Sequence, residues 1–244
     1  MTKLQAMTEG GKRLGCIKGQ LAGMVKEGVT PLEIDSFAEK LISEGGDKPS
    51  FKMVHGYKYS TCININAGMV HGIPRRIPFN QSDVVKIDMG LFHEGYHLDT
   101  STTVQIPPFT PEVTKFLEVS QDSLKAAIFA STPGNTVYDI GLAMQNIAEA
   151  GGYNVIRDLT GHGIGRQLHM EPFIPCFADK RNKKFVLAVD QTVAIEAMLT
   201  MGDWHLVEDP DGWTLSTQDG STTAMFEETV YLTPQGPLIL TATN

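Results

Sequence analysis

The segment VVKIDMGLFHEGYHLDTS, residues 84–101, reads as two apolar strands joined by a tight turn at Glu94-Gly95. In a hairpin that turns at or next to these residues, Asp88 and Asp99 fall nearly opposite each other, so both carboxylates point to one face. Charges held that close between apolar strands repel, and the pair needs a shared proton or a cation. Ligand-type residues farther along the chain favour the cation.

The chain around this hairpin has 244 residues, 41% of them hydrophobic, enough for a sizeable core. Its first residues lack an apolar export segment, and nowhere do about eighteen apolar residues run together, so neither a leader nor a membrane span is expected. The three cysteines, Cys16, Cys62 and Cys176, are too few and too scattered for a disulfide framework or a thiolate metal site, which fits a reducing cytoplasm. A net charge of -8, with no basic cluster longer than Arg75-Arg76, gives nucleic-acid binding little electrostatic basis.

Sliding the chain against itself reveals an internal repeat. GVTPLEI at 28–34 matches GNTVYDI at 134–140, and Gly45-Gly46 recurs as Gly151-Gly152. Each copy carries a 3.6-residue apolar period, a capping Thr30 or Thr136 with an acid three residues on, and a GlyGly stop. A further helical pattern precedes each, at about 4–26 and 112–130. Strand-like VVKIDM at 84–89 then matches TVAIEA at 192–197, which lays Asp88 on Glu196. A looser match of DTSTTV with EETVYL lays Asp99 on Glu227. Two pseudo-symmetric halves, about 1–106 and 107–244, would bring four carboxylates to one central axis.

A nitrogen ligand is expected from GHGIGRQLHMEP at 161–172, whose glycines argue against a helix and for close backbone approach. His162, flanked by glycines, is favoured over His169, which has bulkier neighbours and suits a substrate contact. Asp88, Asp99, His162, Glu196 and Glu227 form an oxygen-rich set with one nitrogen, suited to Mn, Fe(II), Co or Zn. Four carboxylates exceed the charge of one divalent ion, and bridging carboxylates hold two ions about 3.5–4 Å apart.

These segments resemble the type I methionine aminopeptidases, a branch of the pita-bread metallopeptidases, over nearly the whole chain. The resemblance is carried by MVHGIP at 69–74, the AspMetGly–AspThrSer hairpin, GHGIGR at 161–166, VAIEAM at 193–198 and DGWTLSTQDGSTTAMFEET at 211–229. It implies an α+β pita-bread fold, a pseudo-twofold repeat of two helices and strands around a central antiparallel sheet, with residues 1–244 as one catalytic domain. It implies two divalent metal ions on the same five residues, with Asp99 and Glu227 as bridges. Glu196 would also carry the proton, His169 would contact the substrate carbonyl, and His71 the scissile amide nitrogen. Phe51, Tyr57, Cys62 and Trp213 would line the methionine pocket. Val54 and Leu168 depart from the family pattern at positions where aromatic residues are common. The resemblance also implies a monovalent cation on backbone carbonyls near Asn66, Gly68 and Thr223.

The implied activity is removal of initiator methionine from nascent chains when the next residue is small, by a cytoplasmic monomer with transient ribosome contact. Alternatives are a same-fold enzyme for Xaa-Pro or dipeptide substrates, and a non-catalytic binding protein of this fold. Xaa-Pro relatives usually carry an extra amino-terminal domain, whereas here helices are expected almost from Met1. Non-catalytic relatives typically lose ligands, and this chain keeps all five. The short spacing between Gly165, Glu196 and Glu227 argues for type I over type II.

Overall fold

The computed structural model describes residues 1–243. Its helices are α1 (Lys3–Met24), α2 (Pro31–Glu44), α3 (Pro111–Ala130) and α4 (Val137–Ala150). The two helix pairs of the repeat thus form where the periodicity places them. The carboxylates of Glu33 and Asp139 accept from the backbone N–H of Thr30 and Thr136 at 2.8 and 2.7 Å, so α2 and α4 start on the same device. Gly45 and Gly151 end them.

The strands are β1 (Lys48–Pro49), β2 (Thr61–Ile65), β3 (Gly68–Val70), β4 (Val84–His93), β5 (Tyr96–Gln105), β6 (Asn154–Val155), β7 (Thr160–Gly163), β8 (Met170–Pro175), β9 (Thr192–Thr200), β10 (Leu206–Glu208), β11 (Leu215–Thr217), β12 (Thr223–Thr233) and β13 (Gly236–Ile239). The main sheet runs β1-β4-β5-β12-β9-β7-β8, with β2 also on β4, β6 on β9 and β13 on β12; β10, β11 and β3 form a second, small sheet. Its pairings are antiparallel. The arrangement mirrors itself about the β5–β12 seam. β4 is flanked by β1 and β2 as β9 is flanked by β6 and β7, and β1 and β6 pair with Leu91–Phe92 and Leu199–Thr200 respectively.

The hairpin of β4 and β5 turns on Glu94 and Gly95, with φ of 47° and 85°. Two left-handed residues make the tight turn whose twist matches its strands. This two-residue loop pairs Asp88 with Ser101 and Asp99 with Gly90. The aspartates are therefore diagonal neighbours on one face rather than directly opposed, with the Met89–Thr100 pair between them along the ladder.

Alternation along the strands divides the sheet. Val85, Ile87, Met89 and Leu91 of β4 join the core with α1 and α2, while Val193, Ile195, Ala197 and Leu199 of β9 join the core with α3 and α4. Met7, Leu14, Leu21, Ile34 and Ile42 are wholly buried in the first core, each worth about 1.5–3 kcal/mol. Helix α1 is also overlaid by residues 240–242. A Cβ at Gly11 would lie 2.4 Å from the Leu240 carbonyl oxygen, and one at Gly15 2.3 Å from that of Ala242. The opposite face of the central strands, bearing Asp88, Asp99, Glu196 and Glu227, is left for the site.

Candidate active site

Strand pairing assembles four carboxylates. Asp88 and Asp99 come from the β4–β5 hairpin, and Glu227 of β12 is paired with Glu196 on one side and Ser101 on the other. Backbone fixes these positions further. The Thr229 hydroxyl accepts from the Asp99 N–H and donates to its carbonyl, at 2.9 and 2.7 Å, and the Thr100 hydroxyl donates to the Glu227 carbonyl at 2.7 Å.

His162 completes the group from β7. Its flanking glycines are there for space, since a Cβ at Gly161 would lie 2.5 Å from the Ala194 carbonyl oxygen and one at Gly163 2.3 Å from that of Glu171. His162 Nδ1 lies 3.0 Å from the Gly163 carbonyl, to which it donates, leaving Nε2 as a lone-pair donor toward the site. That Nε2 lies 3.6 Å from Glu196 Oε1 and 4.0 Å from Asp99 Oδ2. Asp88, Asp99 and Glu227 offer ligand atoms within 4.8 Å of one another, and so do His162, Glu196 and Glu227. The two trios share Glu227. A third trio joins Asp99 and His162 to His169.

All five side chains are buried. Burial first, and hydrogen bonds only in opposition to it, pushes the Asp88 carboxyl up to about 7. Burial and then neighbouring carboxylates push Asp99, Glu196 and Glu227 well above their ordinary range. Burial draws His162 down to about 4, keeping it neutral and ready to ligate. Asp88 Oδ1 and Glu227 Oε1 are buried without a hydrogen-bond partner. Crowded carboxylates with orphaned oxygens and a neutral imidazole fit divalent cations in both charge and donor type.

A cavity of about 280 Å³ opens over this group. His71, held at φ 60°, and His169 both line it, and its walls draw both imidazoles below their ordinary value, His71 further so through His169. The rings of His162 and His169 lie 4.5 Å apart, edge to face. Phe51, Tyr57, Cys62 and Trp213 line the same cavity, with Tyr57 edge-on to Trp213 at 5.0 Å. Val54 and Leu168 line it too.

Sequence reasoning missed Phe173, Met198 and Met225, which also form its walls. The methionines had a signal: each is two residues from a candidate ligand on the same strand, hence on the same face. Phe173 had none, being placed by the β7–β8 pairing opposite His162. The expected monovalent cation does not fit. Lys86 Nζ donates to the Asn66 carbonyl at 2.7 Å and to that of Thr223 at 3.4 Å, and thus takes up the oxygens the ion would need.

The chain is 40% identical to a methionine aminopeptidase of Aquifex aeolicus over 232 residues, covering 91% of this chain and 89% of that one. The crystal structure of a methionine aminopeptidase from Thermotoga maritima superposes with a TM-score of 0.95 at 34% identity, covering 98% of this chain and 96% of that one. A prolidase from Pyrococcus furiosus shares the fold, with a TM-score of 0.78 at 21% identity, but this chain covers only 64% of its length against 99% of its own. The fold is thus the pita-bread one shared by these enzymes, and, with residues 5–234 matching the profile of metallopeptidase family M24, the chain belongs to that family.

Proposed function

We propose that this chain is a methionine aminopeptidase that releases the first methionine of new polypeptides when the second residue is small. The observation that carries this reading is the cluster of five buried ligand-type side chains beneath an apolar cavity bordered by two histidines. Two divalent ions, of Mn, Fe(II), Co or Zn, would be held by Asp88, Asp99, His162, Glu196 and Glu227. Bound there, they would polarise the scissile carbonyl and bring the pKa of the attacking water to about 7.

The remaining work belongs to side chains. Glu196 accepts the proton lost by the nucleophile and passes it to the leaving amine, a role suited to a carboxylate that lines the cavity. His169 hydrogen-bonds the carbonyl oxygen as it gains charge, and His71 orients the scissile amide nitrogen. The aromatic and sulfur-bearing wall of Phe51, Tyr57, Cys62 and Trp213 receives the thioether and excludes water. With Val54 and Leu168 in place of aromatic residues, that wall is less tightly stacked. Three free cysteines, of which two are buried, support a reducing cytoplasmic setting. There the chain acts as a monomer, with transient ribosome contact through its catalytic surface.

Metal-stripped protein restored with Mn, Fe(II), Co or Zn and given Met-Ala-Ser and Pro-Pro-Ala peptides tests the reading. Methionine release and a stoichiometry of two ions per chain are expected. Release of proline without methionine would overturn the specificity.

A further inference from the structure

Lys86 lies on the site face of β4, two residues from Asp88, and is wholly buried. Its Nζ reaches three backbone carbonyls: Asn66 at 2.7 Å, Val84 at 3.3 Å and Thr223 at 3.4 Å. Those oxygens come from the turn between β2 and β3, the first residue of β4 and the first residue of β12. The neighbouring acceptors are also satisfied. Thr223 Oγ1, which carries one hydrogen, lies 2.8 Å from the Gly68 carbonyl and 3.0 Å from that of Asn66, and the Thr223 N–H donates to Asn66 at 3.0 Å. A carbonyl oxygen has two lone pairs. Those of the Asn66 oxygen are already taken by Lys86 Nζ and the Thr223 N–H, so little remains for coordinating an ion.

We infer that the Lys86 side-chain nitrogen replaces a monovalent ion in this chain, fastening the turn that leads to His71 onto the strand that carries Glu227. The linkage is direct in the covalent chain. Asn66 precedes β3, whose end at Val70 adjoins His71, and Thr223 opens the strand on which Glu227 lies four residues on. Asn66 is itself pinned at φ 52° by its side chain, which donates to Asp83 and accepts from the Val84 N–H, both at 2.9 Å. Burial draws the Lys86 amine well below the ordinary lysine range, and Asp83 opposes this. Lys86 is thus a positioning residue, and the chain carries covalently what would otherwise be a dissociable component.

Thermal unfolding of the chelator-treated full chain tests this without recourse to peptidase activity. At equal ionic strength, chlorides of potassium, sodium and the bulky tetramethylammonium ion should give the same midpoint for the unaltered protein. Lys86→Ala should melt lower in tetramethylammonium and recover with potassium or sodium, by about 3 °C at a tenfold excess over the ion's dissociation constant. A purely structural lysine would show no such rescue. Stabilisation of the unaltered chain by potassium or sodium over tetramethylammonium would overturn the inference, as would a folded Lys86→Ala indifferent to the cation. Should Lys86→Ala not fold, the comparison of salts on the unaltered chain still decides. Because these melts use metal-free protein, their outcome stands apart from that of the peptide assays.

Discussion

Strand β4 with its neighbours and strand β9 with its neighbours occupy equivalent places in the sheet, yet they furnish the site with different chemistry. The register that sets His162 opposite Ala194 sets Asn64 opposite Lys86, and Lys86 and Ala194 stand in the same repeat relation as Asp88 and Glu196. Where the second half offers an imidazole beside a small residue, the first offers an amide beside a lysine. The carboxylates differ as well. Asp88 and Asp99 are short and diagonal, whereas Glu196 and Glu227 are longer and directly paired. A duplicated frame thus fixes where the candidate ligands stand, and substitutions at equivalent positions decide which half adds the nitrogen donor to them.

Substitutions can break this division of labour. The largest effect is expected from Glu196→Ala and His162→Ala, each lowering methionine release by ~10³-fold or more while leaving a cooperative unfolding transition. Wild-type-like rates in either would mean that the ligand set is wrongly drawn. Next, Trp213→Ala should lower kcat/KM for Met-Ala-Ser by about tenfold, mostly through KM, because it opens the pocket wall and leaves the ligands intact. A loss confined to kcat would place Trp213 in the chemistry instead.

Smaller effects probe the frame. Thr30→Ala and Thr136→Ala remove equivalent helix-start contacts and should each cost about 1 kcal/mol, a fall of ~2–4 °C in Tm by calorimetry. The loss at Thr30 should be the greater, since its hydroxyl also accepts from the Glu33 N–H at 3.3 Å. The smallest concerns Asp211. Burial pushes its carboxyl up, but hydrogen bonds from Thr214 and Trp213 and the Arg75 guanidinium outweigh this and hold it well below the usual range. A depressed folded value stabilises above the unfolded pKa of about 4 and is lost as pH falls through the folded value. The Tm difference between the unaltered chain and Asp211→Asn should therefore hold steady near neutral pH and shrink below about pH 4. A difference that grows with acid would exclude this role.

Much of this was legible in the residues because the signals were local. The helix starts at Thr30 and Thr136, the Glu94-Gly95 turn and the glycines around His162 each express a steric or hydrogen-bonding need of a few neighbouring residues. The offset between Asp88 and Glu196 relates β4 to β9. What was not legible depended on contacts between distant segments. The turn is expected at or next to Glu94-Gly95, and only the paired strands fix it on those two residues, which sets Asp88 opposite Ser101 and Asp99 diagonal to it. Lys86 looks like an ordinary strand lysine until Asn66 and Thr223 are brought around it, and Phe173 enters the cavity only through the pairing of β7 with β8.

The glycine contacts of α1 carry a consequence for how the molecule comes into being. Gly11 and Gly15 are covered by the backbone of residues 240–242, so α1 stays bare along that stripe until those residues, more than two hundred positions later, have been made. The β5–β12 seam is delayed in the same way, joining Ser101 to Glu227 across more than half the chain. No fragment that lacks β12 can therefore close the carboxylate cluster, and a chain of an enzyme type that trims other proteins gathers its candidate ligands only once Glu227 has joined the sheet.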